Sequence, residues 1–199
     1  MSGKYILMGC GGHGRSVADA ILSDDPEADI VFVDAKAMPD ERIMGFPAVS
    51  EMPPCSDGVV PASGDNGKRR ESCRGLEMRT FVSRSAHVGR GAQIGSGCFV
   101  ACGAHVGPGA RIGDGSIVNT NAVVEHDVTV GEFCHIAPNA TVCGGCRLGD
   151  LVLVGAGAVL KPCTTVAPGV VIGAGAVVTR DIAESGRYAG SPARRLPTK

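Results

Sequence analysis

A six-residue period runs through the second half of the chain and restricts the fold more than any other feature. Every sixth residue from Val88 to Val178 is aliphatic, and glycine often follows it, as in Val88-Gly89 and Ile172-Gly173. A small or β-branched residue, such as Ala92 or Cys98, commonly stands four places after the aliphatic one. Neither an α-helix nor an alternating strand repeats every six residues, whereas hexapeptide repeats are typical of a parallel β-helix.

The period predicts a three-walled prism in which each hexad forms one strand and one corner. The aliphatic side chain points inward, the small residue fits beside it, and glycine occupies corners that need a positive φ. Five coils spaced about 4.8 Å apart would give a rod about 24 Å tall. Repeats of this class are expected to wind left-handed, against the usual right-handed crossover.

Composition narrows the function classes. Lys and Arg number 19 against 20 Asp and Glu, a net charge of −1, so neither nucleic acid nor an anionic membrane surface is indicated as a partner. No apolar run approaches a membrane span, and the apolar start is too short for a signal peptide, which predicts a cytoplasmic protein. Cys98, Cys134 and Cys146 stand at small-residue positions, where a thiol packs as a small hydrophobe. The 143–146 Cys-Gly-Gly-Cys motif lacks the second cysteine pair that a four-cysteine zinc site needs.

The first 80 residues follow a different pattern. Residues 4–10 predict a buried strand, a glycine turn ends at Gly14, a helix-like run covers 15–22, and a second strand covers 29–33 and ends at Asp34. This order matches the G-x-G-x-x-G dinucleotide fingerprint, in which backbone N–H groups approach a phosphate at a helix N-terminus. The segment is half the usual dinucleotide fold, so it favours a nucleoside diphosphate. A dinucleotide and a purely structural glycine turn remain alternatives.

The sequence signals for the remaining elements before the rod are weaker. Residues 58–62 predict a short strand, a helix begins near Asp65-Asn66, and 80–83 predict the last strand of this unit. Residues 38–57 are expected to form connecting loops, and the charged run 68–74 a solvated helix face. The fold class is therefore a small Rossmann-like α/β domain, 1–83, followed by a left-handed parallel β-helix with a C-terminal tail, 84–199.

Polar residues interrupt the repeat over one coil. His126 lies two places past the inward Val124, so its side chain should project outward, and Asp127 beside it is placed to hold the imidazole tautomer. His135 follows nine residues later, where another face of the prism would bring a neighbouring subunit close. An exposed polar corner without a function is the alternative. Arg194 and Arg195 after the last repeat either meet phosphates or keep the tail soluble.

Three motifs together resemble a known family. They are Gly-Cys-Gly-Gly-His-Gly at 9–14, Val-Glu-His-Asp at 124–127 and Gly-Ser-Pro-Ala at 190–193. The chain resembles the bacterial nucleotide-sugar N-acetyltransferases that acetylate a UDP-4-amino-4,6-dideoxy sugar in bacillosamine-type pathways. This family includes perosamine N-acetyltransferases and sialic-acid-locus O-acetyltransferases. The hexapeptide part is shared by many acyltransferases, whereas the glycine turn joined to His126-Asp127 is specific.

The resemblance implies a homotrimer of left-handed β-helices with acetyl-CoA, the co-substrate, in the groove between rods, no metal, and a role in bacterial surface glycan or glycoprotein synthesis. It implies that His126 is the general base and that Asp127 orients it. The implied cofactor contacts are His135, Gly144, Ala156, Gly173, Ala174 and Arg194. The implied contacts to the nucleotide sugar are Gly11, Gly12, His13, Gly14, Asp34, Lys36 and Asn119. Ala35 departs from members that carry a second acid there.

Three other functions remain open from the sequence. An O-acetyltransferase of sialic-acid-type sugars would use the same base on an alcohol. A trimeric nucleotide-sugar-binding protein without catalysis would keep the pocket alone. A zinc enzyme of the carbonic-anhydrase type needs three histidines on adjoining faces, and His87, His105, His126 and His135 lack the close pair expected for it. The sequence does not distinguish a UDP-linked from a GDP-linked substrate, although the resemblance favours UDP.

Overall fold

The computed structural model describes residues 3–54 and 57–197. A small α/β sheet is followed by a parallel β-solenoid, so the predicted fold class is confirmed. None of the described helices is long and apolar enough to cross a membrane.

The N-terminal sheet is parallel apart from one edge. Its strands are β1 (Lys4–Met8), β2 (Asp29–Val33), β3 (Arg42–Ile43), β4 (Phe46–Val49) and β5 (Val59–Pro61), in the order β3-β4-β2-β1-β5, with β3 antiparallel to β4. Strand β1 pairs with β2 and β5, and Ile6 and Leu7 in it are fully buried. The predicted second strand matches β2 residue for residue.

Two helices accompany this sheet. They are α1 (Gly12–Asp24) and α2 (Asn66–Ser72), and Asp65 caps α2 by accepting a hydrogen bond from Lys68 N at 2.8 Å. Helix α1 begins inside the glycine turn, three residues before the predicted start. Residues Val17, Ala18 and Ile21 are buried, which is the three- and four-residue spacing of one helix face.

The expectation of plain loops over 38–57 is wrong for 42–49. These residues form the β3–β4 hairpin, and β4 extends the sheet by pairing parallel with β2. Sequence pattern missed the hairpin because Pro47 and the short strands offer no alternating run. Residues 55 and 56 lie outside the described residues.

The solenoid consists of two-residue strands separated by four-residue corners. Its strands are β6 (Phe81–Val82), β7 (His87–Val88), β8 (Gln93–Ile94), β9 (Phe99–Val100), β10 (His105–Val106), β11 (Arg111–Ile112), β12 (Ile117–Val118), β13 (Val123–Val124), β14 (Thr129–Val130), β15 (His135–Ile136), β16 (Thr141–Val142), β17 (Arg147–Leu148), β18 (Leu153–Val154), β19 (Val159–Leu160), β20 (Thr165–Val166), β21 (Val171–Ile172), β22 (Val177–Val178), β23 (Arg187–Ala189) and β24 (Arg194–Arg195). From β6 to β21, each strand that has a partner one coil later pairs with it in parallel, as in Val106 with Val124 and Val124 with Val142.

Three sheets make the walls of the prism. The first face holds β6, β9, β12, β15, β18, β21, β23 and β24; the second holds β7, β10, β13, β16, β19 and β22; the third holds β8, β11, β14, β17 and β20. The second residue of every strand from β9 to β22 is buried in the prism, and Val124, Ile136 and Val142 are fully buried. Cys98, Cys134 and Cys146 are buried beside this aliphatic core, as predicted.

Glycines in the solenoid have two separate functions, which corrects the single role predicted for them. Glycines directly after the aliphatic residue lack a positive φ, but a Cβ there would collide with the next coil, as at Gly107, where it would lie 2.6 Å from His126 N. Positive φ occurs instead at every sixth position from Gly91 to Gly175, including Asn121 and Asp127. The first set permits close stacking of coils, and the second turns the corners.

The N-terminal domain packs on the first face of the prism. Phe99, Ala101 and Ile117 of the prism share a buried cluster with α1 and the N-terminal sheet. The strand predicted at 80–83 is β6, but its partner is β9 of the prism and not the N-terminal sheet. That part of the prediction is wrong, because the six-residue pattern already includes Val82, one hexad before Val88.

The coil continues beyond Val178, where the repeat in the sequence ends. Ile182 forms a bridge with Val166, and β23 pairs in parallel with β21. Strand β24 then folds back antiparallel on β23. The predicted polar excursion is therefore a partial further coil that closes this end of the prism.

Candidate active site

The His126–Asp127 pair lies on the corner between the second and third faces. His126 Nδ1 is 2.9 Å from Asp127 Oδ2, and the two side chains are 59% and 75% exposed. Because a carboxylate accepts and does not donate, Nδ1 carries the proton and Nε2 of the neutral ring is free to accept one. The hydrogen bond to Asp127 raises the pKa of His126, and the negative charges of Asp127 and Glu125 add to the effect.

Gly144 lies directly against the imidazole, one coil further along the prism. A Cβ at Gly144 would be 2.5 Å from His126 Nε2 and 2.6 Å from Cε1, so only glycine lets the ring occupy this position. The backbone of His126 is tied to the same coil, since Gly145 N donates to the His126 carbonyl oxygen at 3.0 Å. His126, the predicted base, and Gly144, a predicted cofactor contact, are therefore neighbours.

A cavity of about 810 Å³ opens in the N-terminal domain. Gly11, Gly12, His13 and Asp34, all predicted for the nucleotide sugar, line it. Helix α1 begins at Gly12 with no acidic residue in its first turn, so its N-terminus offers partial positive charge and unpaired N–H groups to this space. The arrangement fits an anionic ligand at the glycine turn.

The other predicted nucleotide-sugar residues have different positions. Gly14 is buried beneath the turn, where a Cβ would overlap the Gly9 carbonyl oxygen, and its contact with the nucleotide sugar remains a prediction. The Asp34 carboxylate accepts hydrogen bonds from Cys10 N at 3.5 Å and Lys36 N at 3.1 Å, which ties the two loops of the cavity together. Lys36 is exposed and is not among the residues that line the cavity.

Lys68 lines the cavity from helix α2, and sequence reasoning did not find it. The run 68–74 was expected to be solvated, because its mixed charges have no apolar period. The Asp65 cap marks the start of α2 but does not show which side chains of the helix face the cavity. Lys68 is the single lysine or arginine that lines this cavity among the described residues.

Asn119 and His135 form a hydrogen-bonded pair where the N-terminal domain meets the prism. His135 Nδ1 is 3.2 Å from the Gly64 carbonyl oxygen, and His135 Nε2 is 3.0 Å from Asn119 Nδ2. A carbonyl only accepts, so Nδ1 carries the proton, Asn119 donates to Nε2, and the ring is the neutral Nδ1–H tautomer. Both ring nitrogens thus have partners within the chain, and the predicted cofactor contact of His135 remains a prediction.

His13 and His135 are kept neutral by their surroundings. Burial lowers the pKa of His135 to about 4, and the positive charge of Arg69 contributes. Burial, followed by the charges of His135 and Arg69, lowers the pKa of His13 to about 3. The His13 ring lies 5.7 Å from His135 and edge-on to Phe99, and its buried Nε2 has no hydrogen-bond partner in the described structure.

Arg69 is fully buried, so the solvated face predicted for 68–74 is wrong at this residue and at the buried Cys73, whereas the other residues of the run are exposed as predicted. Its guanidinium donates to backbone carbonyls of both the cavity loop and the prism. Asn66 on the same helix donates to the Leu151 and Val152 carbonyl oxygens at 3.1 and 3.2 Å. These two side chains fasten α2 to the prism.

The predicted cofactor residues are divided between two edges of the second face. Gly144 lies on the His126 corner, whereas Ala156, Gly173 and Ala174 lie on the corner between the first and second faces. Arg194 lines a second cavity of about 290 Å³ at the closed end of the prism. These assignments remain predictions.

The histidines weighed for a zinc site do not converge. His87 and His105 stack on the second face with ring centroids 5.0 Å apart, away from His126 at its corner. Within residues 3–54 and 57–197, no group of three metal-ligating side chains is close enough to hold an ion.

Comparison with known families accounts for both parts of the chain. Residues 4–76 match the PglD N-terminal domain, and residues 91–180 match the bacterial transferase hexapeptide repeats in four overlapping windows. These matches define the class of protein as a hexapeptide-repeat acyltransferase. Comparison with curated protein sequences gives no significant match.

Solved structures specify the family. The acetyltransferase domain of PglB from Neisseria gonorrhoeae is 34% identical, covers 97% of this chain and 99% of its own, and superposes with a TM-score of 0.88; it has also been solved in complex with acetyl coenzyme A. A single-residue variant of perosamine N-acetyltransferase from Caulobacter crescentus has been solved in complex with CoA and GDP-perosamine. It is 30% identical over 100% of this chain and 98% of its own, with a TM-score of 0.87. WeeI from Acinetobacter baumannii, 23% identical over 97% of this chain and 100% of its own, shares the fold with a TM-score of 0.89. The chain belongs to the family of PglD-type nucleotide-sugar N-acetyltransferases.

Proposed function

We propose that this enzyme transfers the acetyl group of acetyl-CoA to the amino group of a nucleotide-linked 4-amino-4,6-dideoxy sugar, with a UDP-linked sugar favoured. The observation that carries the proposal is the His126–Asp127 pair, with its free Nε2 directly against Gly144. Bacterial surface glycan or glycoprotein synthesis, in the cytoplasm, is the setting in which such a product is used.

His126 acts as the general base. Its Nε2 accepts a proton from the sugar amine as the nitrogen attacks the thioester carbon, and the attack expels the CoA thiolate. Asp127 keeps Nδ1 protonated and stabilises the imidazolium that forms. Because Asp127 raises the pKa of His126, the base is stronger than an isolated imidazole, and general-base catalysis of this kind contributes roughly 10²–10⁴-fold in rate.

Gly144 contributes to the same step. Its N–H, one coil from the base, stabilises the oxyanion that develops on the acetyl group, a contribution of about 3 kcal/mol when a donor is well aimed. The small residue also leaves room for the imidazole. Residues at one corner of two consecutive coils therefore supply both the base and the donor that stabilises the oxyanion.

The cavity of the N-terminal domain receives the nucleotide diphosphate. The N-terminus of α1 offers N–H groups to the phosphates, and Lys68 supplies a full positive charge from the opposite helix. His13 and Asp34 complete the surface near the glycine turn. A ligand with two phosphates is a better match to this charge pattern than a neutral one.

The complete site needs two chains, because the cavity and His126 are on opposite sides of one prism. The N-terminal domain covers the first face, and His126 is on the corner between the other two faces. A sugar attached directly to the diphosphate is too short to pass around the prism. The proposed assembly is a homotrimer in which the cavity of one chain faces the His126 corner of its neighbour, with acetyl-CoA between them.

The direct test is an assay of CoA thiol release with UDP-, GDP- and dTDP-linked 4-amino sugars, combined with analysis of the product. The expected product is an amide that survives mild alkali, whereas an O-acetyl product is an ester that is hydrolysed. The variant His126→Ala is expected to lose most of kcat with a modest change in KM. Turnover near the wild-type value in this variant would remove His126 as the base.

Mixed assemblies test the shared site. Lys68→Met and His126→Ala chains, each poorly active alone at a nucleotide-sugar concentration below the wild-type KM, are unfolded together and refolded at equal concentration. If cavity and base come from different chains, about a quarter of the sites combine a wild-type Lys68 with a wild-type His126, and activity returns to about that fraction. No recovery above the sum of the two separate variants would place the whole site within one chain.

A further inference from the structure

Arg69 is a buried cation that the proposed chemistry does not use. Its side chain is fully buried, and the donors bind five oxygen atoms: Nε binds Gly115 O at 2.7 Å, Nη1 binds Ser63 O at 2.9 Å, and Nη2 binds Asn66 Oδ1 at 2.9 Å, Phe133 O at 3.0 Å and Cys134 O at 2.9 Å. None of these partners is a carboxylate. A charge is costly to bury unless it is hydrogen-bonded, and these five contacts, which involve all three guanidinium nitrogens, fix the guanidinium closely.

The partners of Arg69 belong to two separate parts of the protein. Ser63 is in the loop that lines the nucleotide cavity, whereas Gly115 and Cys134 are on a corner of the prism. The guanidinium is planar and its donors have a fixed fork geometry, so it sets a distance and an angle between the two parts. Lysine has a single ammonium and does not reproduce this geometry.

Two of the carbonyl groups belong to the residues just before Gly64 and His135, which are hydrogen-bonded to each other. Ser63 precedes Gly64, and Cys134 precedes His135; Gly64 O and His135 Nδ1 are hydrogen-bonded at 3.2 Å. Arg69 therefore binds the backbone on both sides of this bond. Through His135 Nε2, the same bond fixes Asn119, which the resemblance places near the amino sugar.

We infer that Arg69 is a positioning residue for the proposed acetyl transfer: by binding the carbonyls before Gly64 and His135, it holds the nucleotide cavity in register with the prism and keeps His135 in the tautomer that orients Asn119. This inference rests on the proposed function for its catalytic consequence. Its structural consequences are the tautomer of His135 and the position of the cavity relative to the prism, and neither depends on the identity of the substrate.

The electrostatics agree with this role. The Arg69 charge adds to burial in lowering the pKa of both His13 and His135, so both rings remain neutral beside the cavity. A neutral His135 with its proton on Nδ1 accepts from Asn119, and a protonated one does not. The fixed cation therefore favours the hydrogen-bonding state in which Asn119 is held.

The experiment compares Arg69→Lys and Arg69→Met with the matched control Arg70→Met, since Arg70 is an exposed residue on the same helix. Imidazole nitrogens are recorded by NMR on protein labelled with ¹⁵N-histidine, with His135 assigned from His135→Gln. The wild-type protein and the control are expected to show the Nδ1–H tautomer of His135 from pH 7 down to below pH 5. Both Arg69 variants are expected to show a tautomer mixture that titrates at higher pH.

Kinetic measurements separate positioning from general damage. In the Arg69 variants, kcat is expected to fall about tenfold or more, because small displacements of bound reactants are costly. The dissociation constant for the nucleoside diphosphate is expected to stay within about threefold, since the walls from β1 and α1 are intact. Arg70→Met should match the wild type in both measurements.

Three results would overturn the inference. They are an unchanged His135 tautomer in a folded Arg69 variant, a loss of nucleotide affinity that equals the loss of kcat, and a wild-type His135 that titrates near its ordinary pKa. The last needs no variant, so the test holds even if both variants fail to fold. Failure of the proposed function differs from all three, because it appears as no acetyl transfer by wild-type protein, with the NMR result unaffected.

Discussion

Replacing Gly144 by alanine tests whether the position of the His126 ring limits catalysis. The new Cβ would lie 2.5 Å from Nε2, 2.6 Å from Cε1 and 3.0 Å from Cδ2. Non-bonded atoms normally approach to about 3.5 Å, so the ring has to move by about 1 Å. The exposed imidazole is free to make this movement, but it then loses alignment with both Asp127 and the reacting amine.

The expected loss is about 10²-fold in kcat, or about 2.7 kcal/mol, since a displacement of 1 Å typically has that effect. Alanine keeps the backbone N–H of residue 144, so the loss of kcat measures the displacement of the His126 ring and not the loss of the backbone donor. The acidic limb of the pH–rate profile should also move to lower pH. Asp127 raises the pKa of His126, and a ring that moves away from the carboxylate has a lower pKa.

The assay measures CoA release over a pH series, with thermal unfolding recorded in parallel. The matched control is Gly67→Ala, because a Cβ at Gly67 meets only the Asp65 side chain, at 3.5 Å, and the site is in helix α2. This control should keep full activity and gain about 0.5–1 kcal/mol in the free energy of unfolding. Wild-type kcat and an unshifted acidic limb in Gly144→Ala would refute the proposed use of this ring.

Three other predictions follow from the structure. Asp127→Asn keeps the backbone conformation, since asparagine tolerates the φ of 60° found here, but it should lower kcat and shift the acidic limb to lower pH in the same assay. Lys68→Met should raise KM for the nucleotide sugar about tenfold, and leave KM for acetyl-CoA unchanged; equal changes in both would contradict its place in the cavity. Ile136→Ala, at a fully buried position of the prism, should reduce the free energy of unfolding by about 2–5 kcal/mol in a denaturant titration, and a loss below 1 kcal/mol would show that the core readily collapses around it.

The prism was predictable because its rule is local. Each hexad contains the inward aliphatic residue and the small residue beside it, and a strand such as β13 finds its partner in β16 at a fixed separation along the chain. The corner position of His126 follows from the same rule, since it is two places past an inward residue. Its contact with Asp127 is between adjacent residues and needs no tertiary information.

The docking of the two domains was not predictable in the same way. Arg69 is in a short run of mixed charges, and only the approach of α2 to the prism makes it a fully buried donor to five oxygen atoms. His135 gave a clear signal as a polar interruption, but its partner Gly64 is 71 residues away in the chain. No periodicity connects these positions, because the contact is made by two domains of different repeat length.

The sequence by itself determined the solenoid, its inward residues and the exposed His126–Asp127 pair, because these depend on spacing within one or two hexads. Tertiary structure alone decided which polar residues are buried, which ring nitrogens have partners, and that the cavity of the N-terminal domain lies on the opposite side of the prism from His126. The physical reason is that burial and hydrogen bonding of a polar group depend on the surface that covers it, and that surface comes from a distant part of the chain.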